Sequence, residues 1–126
     1  MNRKGFTLLE LLMVVIIVGV LAAIGIPQYA ASLEKAKGAD AKESLAHIYR
    51  EEELYYGSNR EGGFTDSIDA LGNDVALNTK CWNFSIDTPT SASFVATATR
   101  ISGSHSGQTI TLDDSGTFSG DWEYIK

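Results

Sequence analysis

The first strong pattern along the chain is an unbroken apolar run, Phe6–Ile26, which reads FTLLELLMVVIIVGVLAAIGI. Glu10 is the only ionisable residue within it. As an α-helix the run would be about 31 Å long, close to the thickness of the hydrocarbon core of a bilayer. A buried core helix is the alternative, but the remaining residues are too few to surround such a cylinder. The run is apolar on every side, so we expect a segment that lies in a membrane.

From Gln28 to about Tyr56 the pattern becomes amphipathic. The apolar residues Ala41, Leu45, Ile48 and Tyr55 recur at helical spacing, and charged residues lie between them. We therefore expect one helix over residues 6–57. Gly38 should weaken it, and the run Glu51, Glu52 and Glu53 is expected to form a solvated face.

The rest of the chain alternates apolar and polar residues in short runs separated by glycine, serine and aspartate, which is typical of strands. Gly57–Lys80 reads as a surface connection, attached by Phe64, Ile68 and Leu71, with turns at Gly62-Gly63 and Gly72-Asn73-Asp74. The predicted strands are Trp82–Asp87, which Thr88-Pro89 should end, then Ser93–Ile101, Thr109–Leu112 and Thr117–Ser119. The expected fold is α+β, a long N-terminal helix packed on a small antiparallel sheet of three or four strands.

The first five residues, MNRKG, are basic and end in glycine. Arg3 and Lys4 should stay on the cytoplasmic side of the membrane, with the helix pointing outward. A secretory signal also has a basic start and an apolar region. However, the apolar run is of full spanning length, and the helical pattern continues beyond Pro27.

These residues carry a resemblance to a known family. Lys4-Gly5-Phe6-Thr7-Leu8-Leu9-Glu10 before an apolar run that Pro27 closes resembles the class III signal of type IV pilins and of the pseudopilins of type II secretion. The resemblance implies that a prepilin peptidase cuts between Gly5 and Phe6 and methylates Phe6. It also implies a leader (residues 1–5), a long helix (6–57, with 6–26 as transmembrane segment and filament core) and a globular head (58–126).

Glu10 is costly in hydrocarbon unless it is paired, so it is expected to be functional and to have a partner. Cleavage would supply one, the new α-amino group of Phe6. The amine of the same chain lies about one turn away, and the resemblance favours the amine of a neighbouring subunit. The alternative is an unpaired carboxylate that reaches the lipid headgroups.

Three further positions are expected to serve assembly. Gly19 and Ala23 are small residues four apart, which permits close approach of helices in lipid, although such residues are also simply common in membrane spans. Pro27 should kink the helix or loosen its preceding turn. The resemblance further implies that Gly19–Ile26 unwinds in the polymer.

Charge and cysteine content narrow the possible partners. The 126-residue chain has a formal net charge of −6. Loss of Arg3 and Lys4 leaves 8 basic against 16 acidic residues, or −8, which argues against nonspecific nucleic-acid binding. The single cysteine, Cys81, cannot form an internal disulfide. It is expected to be a small buried residue beside Trp82, and an intermolecular disulfide is the alternative. The C-terminal loop would then be held by packing of Phe118, Trp122 and Tyr124.

Little in the sequence suggests chemistry, and no enzyme activity or cofactor is predicted. His47 and His105 lack the flanking residues of a catalytic triad, and with Cys81 they lack zinc-ligand spacing. Asp113, Asp114 and Asp121 are weak calcium candidates near a glycine-bearing turn. The tyrosines could form an aromatic track for electron transfer along a filament. Their spacing is better explained by an anchor at the membrane interface, Tyr29, and by core packing of the others.

The sequence thus predicts a structural pilin, a homo-oligomer that assembles into a helical filament. Its partners would be the prepilin peptidase, the inner-membrane assembly machinery and, before assembly, membrane lipid, with no specific nucleic acid. It would lie in the inner membrane as a precursor and then in an extracellular pilus. The alternatives are a pseudopilin of a secretion or DNA-uptake system, which would be periplasmic, and a monomeric membrane-tethered binding domain.

Overall fold

The computed structural model describes residues 5–58, 63–72, 77 and 79–125. Residues 1–4 of the leader, Gly62 and the Asn73-Asp74 turn fall outside them. The described chain separates into two compact units, Met1–Glu34 and Lys35–Lys126. Helix α1, Leu8–Ser58, contributes its first part to one unit and its second part to the other.

The first unit consists of apolar helix. The large hydrophobic side chains of Phe6–Ile26 are between 50% exposed, at Val14, and 87% exposed, at Leu8. In the described part of the chain, α1 is the one helix long and apolar enough to cross a membrane. Pro27 lies inside α1, which continues through it. The predicted unwinding of Gly19–Ile26 concerns a polymer and stays a prediction.

The second unit is α+β, as expected. Four strands form an antiparallel meander in the order β1-β2-β3-β4. They are β1 (Trp82–Thr90), β2 (Ser93–Arg100), β3 (Thr109–Asp113) and β4 (Phe118–Ser119). A short 3₁₀ turn, Asp69–Leu71, lies in the connection between helix and sheet.

The prediction that Thr88-Pro89 ends the first strand was wrong, because β1 continues to Thr90. Proline removes a ladder hydrogen bond, but an edge strand or an irregular position tolerates that loss. Both conditions hold here, because β1 is an edge strand of the sheet and its register shifts between Asp87 and Thr90.

The core of the second unit lies between the helix and one face of the sheet. The predicted helical stripe is confirmed, since Ala41, Leu45 and Ile48 are fully buried and Tyr55 packs against them in part. The strands supply alternate residues to this core: Trp82, Ile86, Phe94, Ala96, Ala98, Ile110 and Leu112. The connection supplies Leu71, and the C-terminal segment supplies Trp122. The period of two in the strands and the helical period in α1 converge on one core.

Candidate assembly site

Helix α1 begins with a side-chain cap. The Thr7 hydroxyl accepts a hydrogen bond from the Glu10 amide at 3.1 Å, and the Thr7 carbonyl accepts one from the Leu11 amide at 3.1 Å. Thr7-x-x-Glu10 is also the sequence pattern of a capping box, of which the structure forms the threonine half. The first turn of the helix is therefore fixed by Thr7, the second residue after the predicted cleavage point.

The predicted cleavage point lies outside regular structure. Gly5, Phe6 and Thr7 precede the helix, and Phe6 is 82% exposed. A peptidase needs an extended, accessible bond, and a peptide inside a hydrogen-bonded helix does not offer one. The geometry is compatible with scission between Gly5 and Phe6, which stays a prediction.

Glu10 is exposed in the first turn of an apolar helix. Within the described residues, its carboxylate makes no hydrogen bond or ion pair. A carboxylate in such surroundings is stabilised by a counter-charge. The site is therefore chemically incomplete within the described chain, in the way that an intersubunit contact would require.

Gly19, Ala23 and Pro27 follow one another at intervals of four residues, so they line one side of α1. A Cβ atom built at Gly19 would meet nothing within 4 Å, and the same is true at Gly25. Within the described residues, no side chain packs against Gly19 or Gly25. The side of α1 that carries Gly19 and Ala23 is exposed there and leaves room for another helix.

Two of the weak calcium candidates, Asp113 and Asp121, accept hydrogen bonds from nearby residues. One oxygen of Asp113 accepts hydrogen bonds from the Ser115 hydroxyl (2.6 Å), the Ser115 amide (3.1 Å) and the Thr117 amide (3.0 Å). One oxygen of Asp121 accepts from the amide and hydroxyl of Thr109, at 2.6 and 3.0 Å. In the described residues, no group of three or more His, Cys, Asp or Glu side chains is arranged to hold a metal.

These hydrogen bonds favour the ionised carboxylates. The Ser115 hydroxyl and then the Thr117 amide hold the pKa of Asp113 below its ordinary value. The Thr109 amide and then its hydroxyl do the same to the pKa of Asp121. Both residues consequently act as anionic acceptors for backbone amides.

The C-terminal segment, residues 116–124, runs antiparallel to α1 along its side. Four pairs mark its path: Gly116 with Tyr49, the Phe118 ring with the Lys42 ammonium (5.6 Å), Trp122 with Gly38, and the Tyr124 ring with the Lys35 ammonium (5.8 Å). Trp122 is buried, Tyr124 is half-buried and Phe118 is 38% exposed. Packing therefore attaches this segment, as predicted, with Trp122 as its main anchor.

Gly38 has a role that sequence reasoning missed. A Cβ atom built there would overlap the Trp122 ring. Trp122 packs edge-on against Trp82 at 5.9 Å, and the Trp82 indole donates a hydrogen bond to the Lys37 carbonyl at 2.9 Å. Gly38 is thus the position at which α1 admits the anchor of the C-terminal segment. Cys81, beside Trp82, is half-buried rather than buried.

His105 connects the β2–β3 turn to the C-terminal segment. Its ring nitrogens lie 3.2 Å from the Ser104 hydroxyl and 2.8 Å from a Glu123 oxygen. A serine, a histidine and an acid are therefore within hydrogen-bonding distance. Ser104 and Glu123 are both exposed, and the contact holds a surface turn to the chain end.

The prediction of a solvated face at Glu51–Glu53 was wrong for Glu52, which is fully buried. One of its oxygens accepts a hydrogen bond from the Thr65 amide at 3.1 Å. The other has no hydrogen-bond partner within the described residues. Position 52 continues the core stripe of Leu45 and Ile48, and that spacing is the signal that could have found it.

Comparison with known proteins gives two matching family models that together cover residues 1–113. Residues 1–26 match the prokaryotic N-terminal methylation motif. Residues 27–113, over two thirds of the chain, match the family described as type IV minor pilin ComP, DNA uptake sequence receptor.

Curated relatives agree with these models. The chain is 36% identical to the type IV major pilin protein PilA of Myxococcus xanthus over 68 residues, which are 53% of this chain and 31% of that protein. It is 32% identical to a fimbrial protein of Neisseria meningitidis over 80 residues, 58% of this chain and 47% of that protein. A fimbrial protein of Pseudomonas aeruginosa is 70% identical over 27 residues, 21% of this chain and 18% of that protein.

The matched region spans less than half the length of each of these relatives. Members of the family are structural proteins, and the N-terminal methylation motif goes with prepilin processing in general. The capped apolar helix, the meander sheet and both family models lead to one conclusion: the chain belongs to the type IV pilin family.

Proposed function

We propose that the chain is a structural subunit of a type IV pilus, cleaved between Gly5 and Phe6, methylated on Phe6 and polymerised through α1. In this proposal residues 1–5 are the leader, 6–57 the helix and 58–126 the head. The precursor lies in the inner membrane and contacts the prepilin peptidase and the pilus assembly machinery. The polymer is a homo-oligomeric extracellular filament.

The observation that carries the proposal is the carboxylate of Glu10, exposed on an apolar helix and unpaired within the described residues. Leader removal would create a cation at Phe6, and a neighbouring subunit would bring that cation to Glu10. Pairing would set the axial position of one subunit against the next. The open side of α1 at Gly19 and Ala23 would allow the helices to approach closely.

The test compares Glu10→Ala with Glu43→Ala, which removes an exposed glutamate from the second unit. We expect Glu10→Ala to leave a membrane-embedded protein that begins at Phe6. Loss of a pair in hydrocarbon should reduce sheared filaments by about tenfold or more. Glu43→Ala should give normal filaments. Mass spectrometry reports the N-terminus and electron microscopy the filaments, and normal filaments from Glu10→Ala would refute the pairing.

A second candidate function is that of a minor pilin in DNA uptake, which the description of the matching family model favours. Two amines on one side of the second unit, Lys35 and Lys42, lie near the aromatic rings of Tyr124 and Phe118. Such a pairing of cations with rings suits a nucleic acid. The net charge of the chain opposes it, so this candidate requires a specific rather than a general affinity.

A further inference from the structure

A short segment after the helix, Gly63–Thr65, is attached at consecutive residues, and we name it the clasp. The Phe64 amide donates to the Ser91 carbonyl in the β1–β2 turn at 3.1 Å. The Thr65 amide donates to Glu52 of α1 at 3.1 Å. Gly63 has φ +68° and packs so closely on Ser91 that a Cβ atom would overlap the Ser91 carbonyl. The clasp therefore joins the helix to the β1–β2 turn.

The surroundings of Glu52 are poorly suited to a negative charge. The side chain is fully buried, and one carboxylate oxygen has no hydrogen-bond partner within the described residues. Aromatic rings pack at the clasp. The centroid of the Phe64 ring lies 4.7 Å from that of Tyr56 and 4.8 Å from that of Phe94. A buried carboxylate with an unsatisfied oxygen is destabilising until it is protonated or reached by water.

Within the described residues, the two charges that act on Glu52 are also acidic. Asp66 follows the clasp, and Glu53 is the next residue on α1. On the side of the sheet the clasp meets Phe94 and Ser91, which do not titrate. Both charged neighbours therefore favour the neutral acid.

We propose that Glu52 is a proton-operated catch for the clasp: the neutral carboxyl keeps Gly63–Thr65 closed on the helix, and loss of the proton opens it. Opening would admit water to the unpartnered oxygen and would free Gly63–Thr65 from α1. The catch lies within one compact unit, Lys35–Lys126, and does not depend on polymerisation.

The titration has a definite sign. Burial, followed by the Asp66 and Glu53 charges, raises the pKa of Glu52 from 4.5 to about 7, against a lowering by the Thr65 amide. The closed form consequently holds the proton more tightly than the open form. The stabilisation of the closed form is fully present below pH 4.5 and is lost as the pH rises through 7. Between pH 6 and 8 the equilibrium constant for opening should rise by about tenfold.

The test measures amide hydrogen exchange at Phe64 and Thr65 by NMR, on the whole chain in detergent micelles. Rates at pH 6 and pH 8 are corrected for the intrinsic base catalysis of exchange. In the wild-type chain, protection at both amides should fall by about tenfold across this range. Glu52→Gln keeps an acceptor for the Thr65 amide but cannot ionise, so its protection should not change with pH.

Glu53→Gln is the matched control, since it removes an exposed charge one residue away. It should keep the pH response with a slightly lower midpoint. Unchanged protection in the wild-type chain, or an equal pH response in Glu52→Gln, would overturn the proposal. If Glu52→Gln does not fold, the carboxyl carbon of Glu52 is titrated in the wild-type chain instead. A midpoint near 7 that coincides with the Thr65 change supports the catch, and a midpoint near 4.5 refutes it.

Discussion

At the scale of single residues, the second unit depends on side chains whose roles are opposite to their usual ones. Glycine normally weakens a helix, yet Gly38 admits the ring of Trp122. Glutamate normally faces water, yet Glu52 is fully buried and accepts a hydrogen bond from the Thr65 amide. In both cases a distant partner, Trp122 or Thr65, decides the role.

The first prediction concerns Gly38→Ala. Alanine is the better helix former, but its methyl group would overlap the Trp122 ring, so we expect a loss of about 1–3 kcal/mol in the free energy of unfolding. Gly57→Ala is the control, because Gly57 is also in α1 and a Cβ there would meet nothing within 4 Å. It should be neutral or stabilising by up to about 1 kcal/mol.

Thermal or denaturant unfolding of the full-length chain in detergent micelles measures both variants. If Gly38→Ala were as stable as Gly57→Ala, the contact with Trp122 would not constrain the helix. A Gly38→Ala chain in which the indole N–H of Trp122 becomes solvent-exposed, by NMR, would locate the loss at the C-terminal segment.

At the scale of elements, the ends of α1 and β1 were the hardest to predict. The helix begins at Leu8 because Thr7 provides the cap, although the apolar run itself starts at Phe6. Strand β1 passes Pro89 because an edge strand does not need every amide. Local composition predicts the approximate end of a helix or strand. The exact terminal residue depends on which hydrogen-bond partner is available to the last backbone amide.

The second prediction therefore concerns the cap. Thr7→Ala removes the acceptor for the Glu10 amide and should weaken the first turn by about 1 kcal/mol, so that this amide exchanges about fivefold faster in detergent micelles. Thr7→Ser retains the hydroxyl and should exchange like the wild-type chain. Equal exchange in the two variants would show that the hydroxyl does not cap the helix.

At the scale of the whole molecule, sequence periodicity predicted the architecture. The all-round apolar run, the helical stripe from Ala41 to Tyr55 and the alternation in the strands each have one geometric solution, and the structure has all three. Periodicity could not predict which distant residues meet, such as Gly38 with Trp122 or Glu52 with Thr65. Those contacts depend on how the elements pack together, which no local pattern encodes.

The sequence predicted only part of the candidate assembly site. The sequence indicated Glu10 from the cost of a charge in an apolar run, and the structure leaves that carboxylate unpaired within the described residues. In the proposed function, the counter-charge would belong to a cleaved and assembled state. A single chain with an intact leader contains neither the free amine of Phe6 nor a neighbour.

The third prediction concerns DNA, whose binding depends on the net charge of the whole molecule. With a charge of −6, or −8 after cleavage, the chain should not bind a random-sequence duplex detectably at physiological salt. If a particular duplex does bind, the double variant Lys35→Gln/Lys42→Gln should reduce the slope of log affinity against log salt by about 2.

The control for that experiment is Lys80→Gln/Arg50→Gln, which removes the same charge from two other exposed positions. It should leave the salt slope nearly unchanged. Equal losses in the two double variants would indicate a general charge effect. That result would remove the support that Lys35 and Lys42 give to the DNA-uptake candidate.

The C-terminal segment is attached to α1 by the packing of Trp122 and not by an internal disulfide, because the 126 residues contain a single cysteine. Reductants should therefore leave the attachment of this segment unchanged.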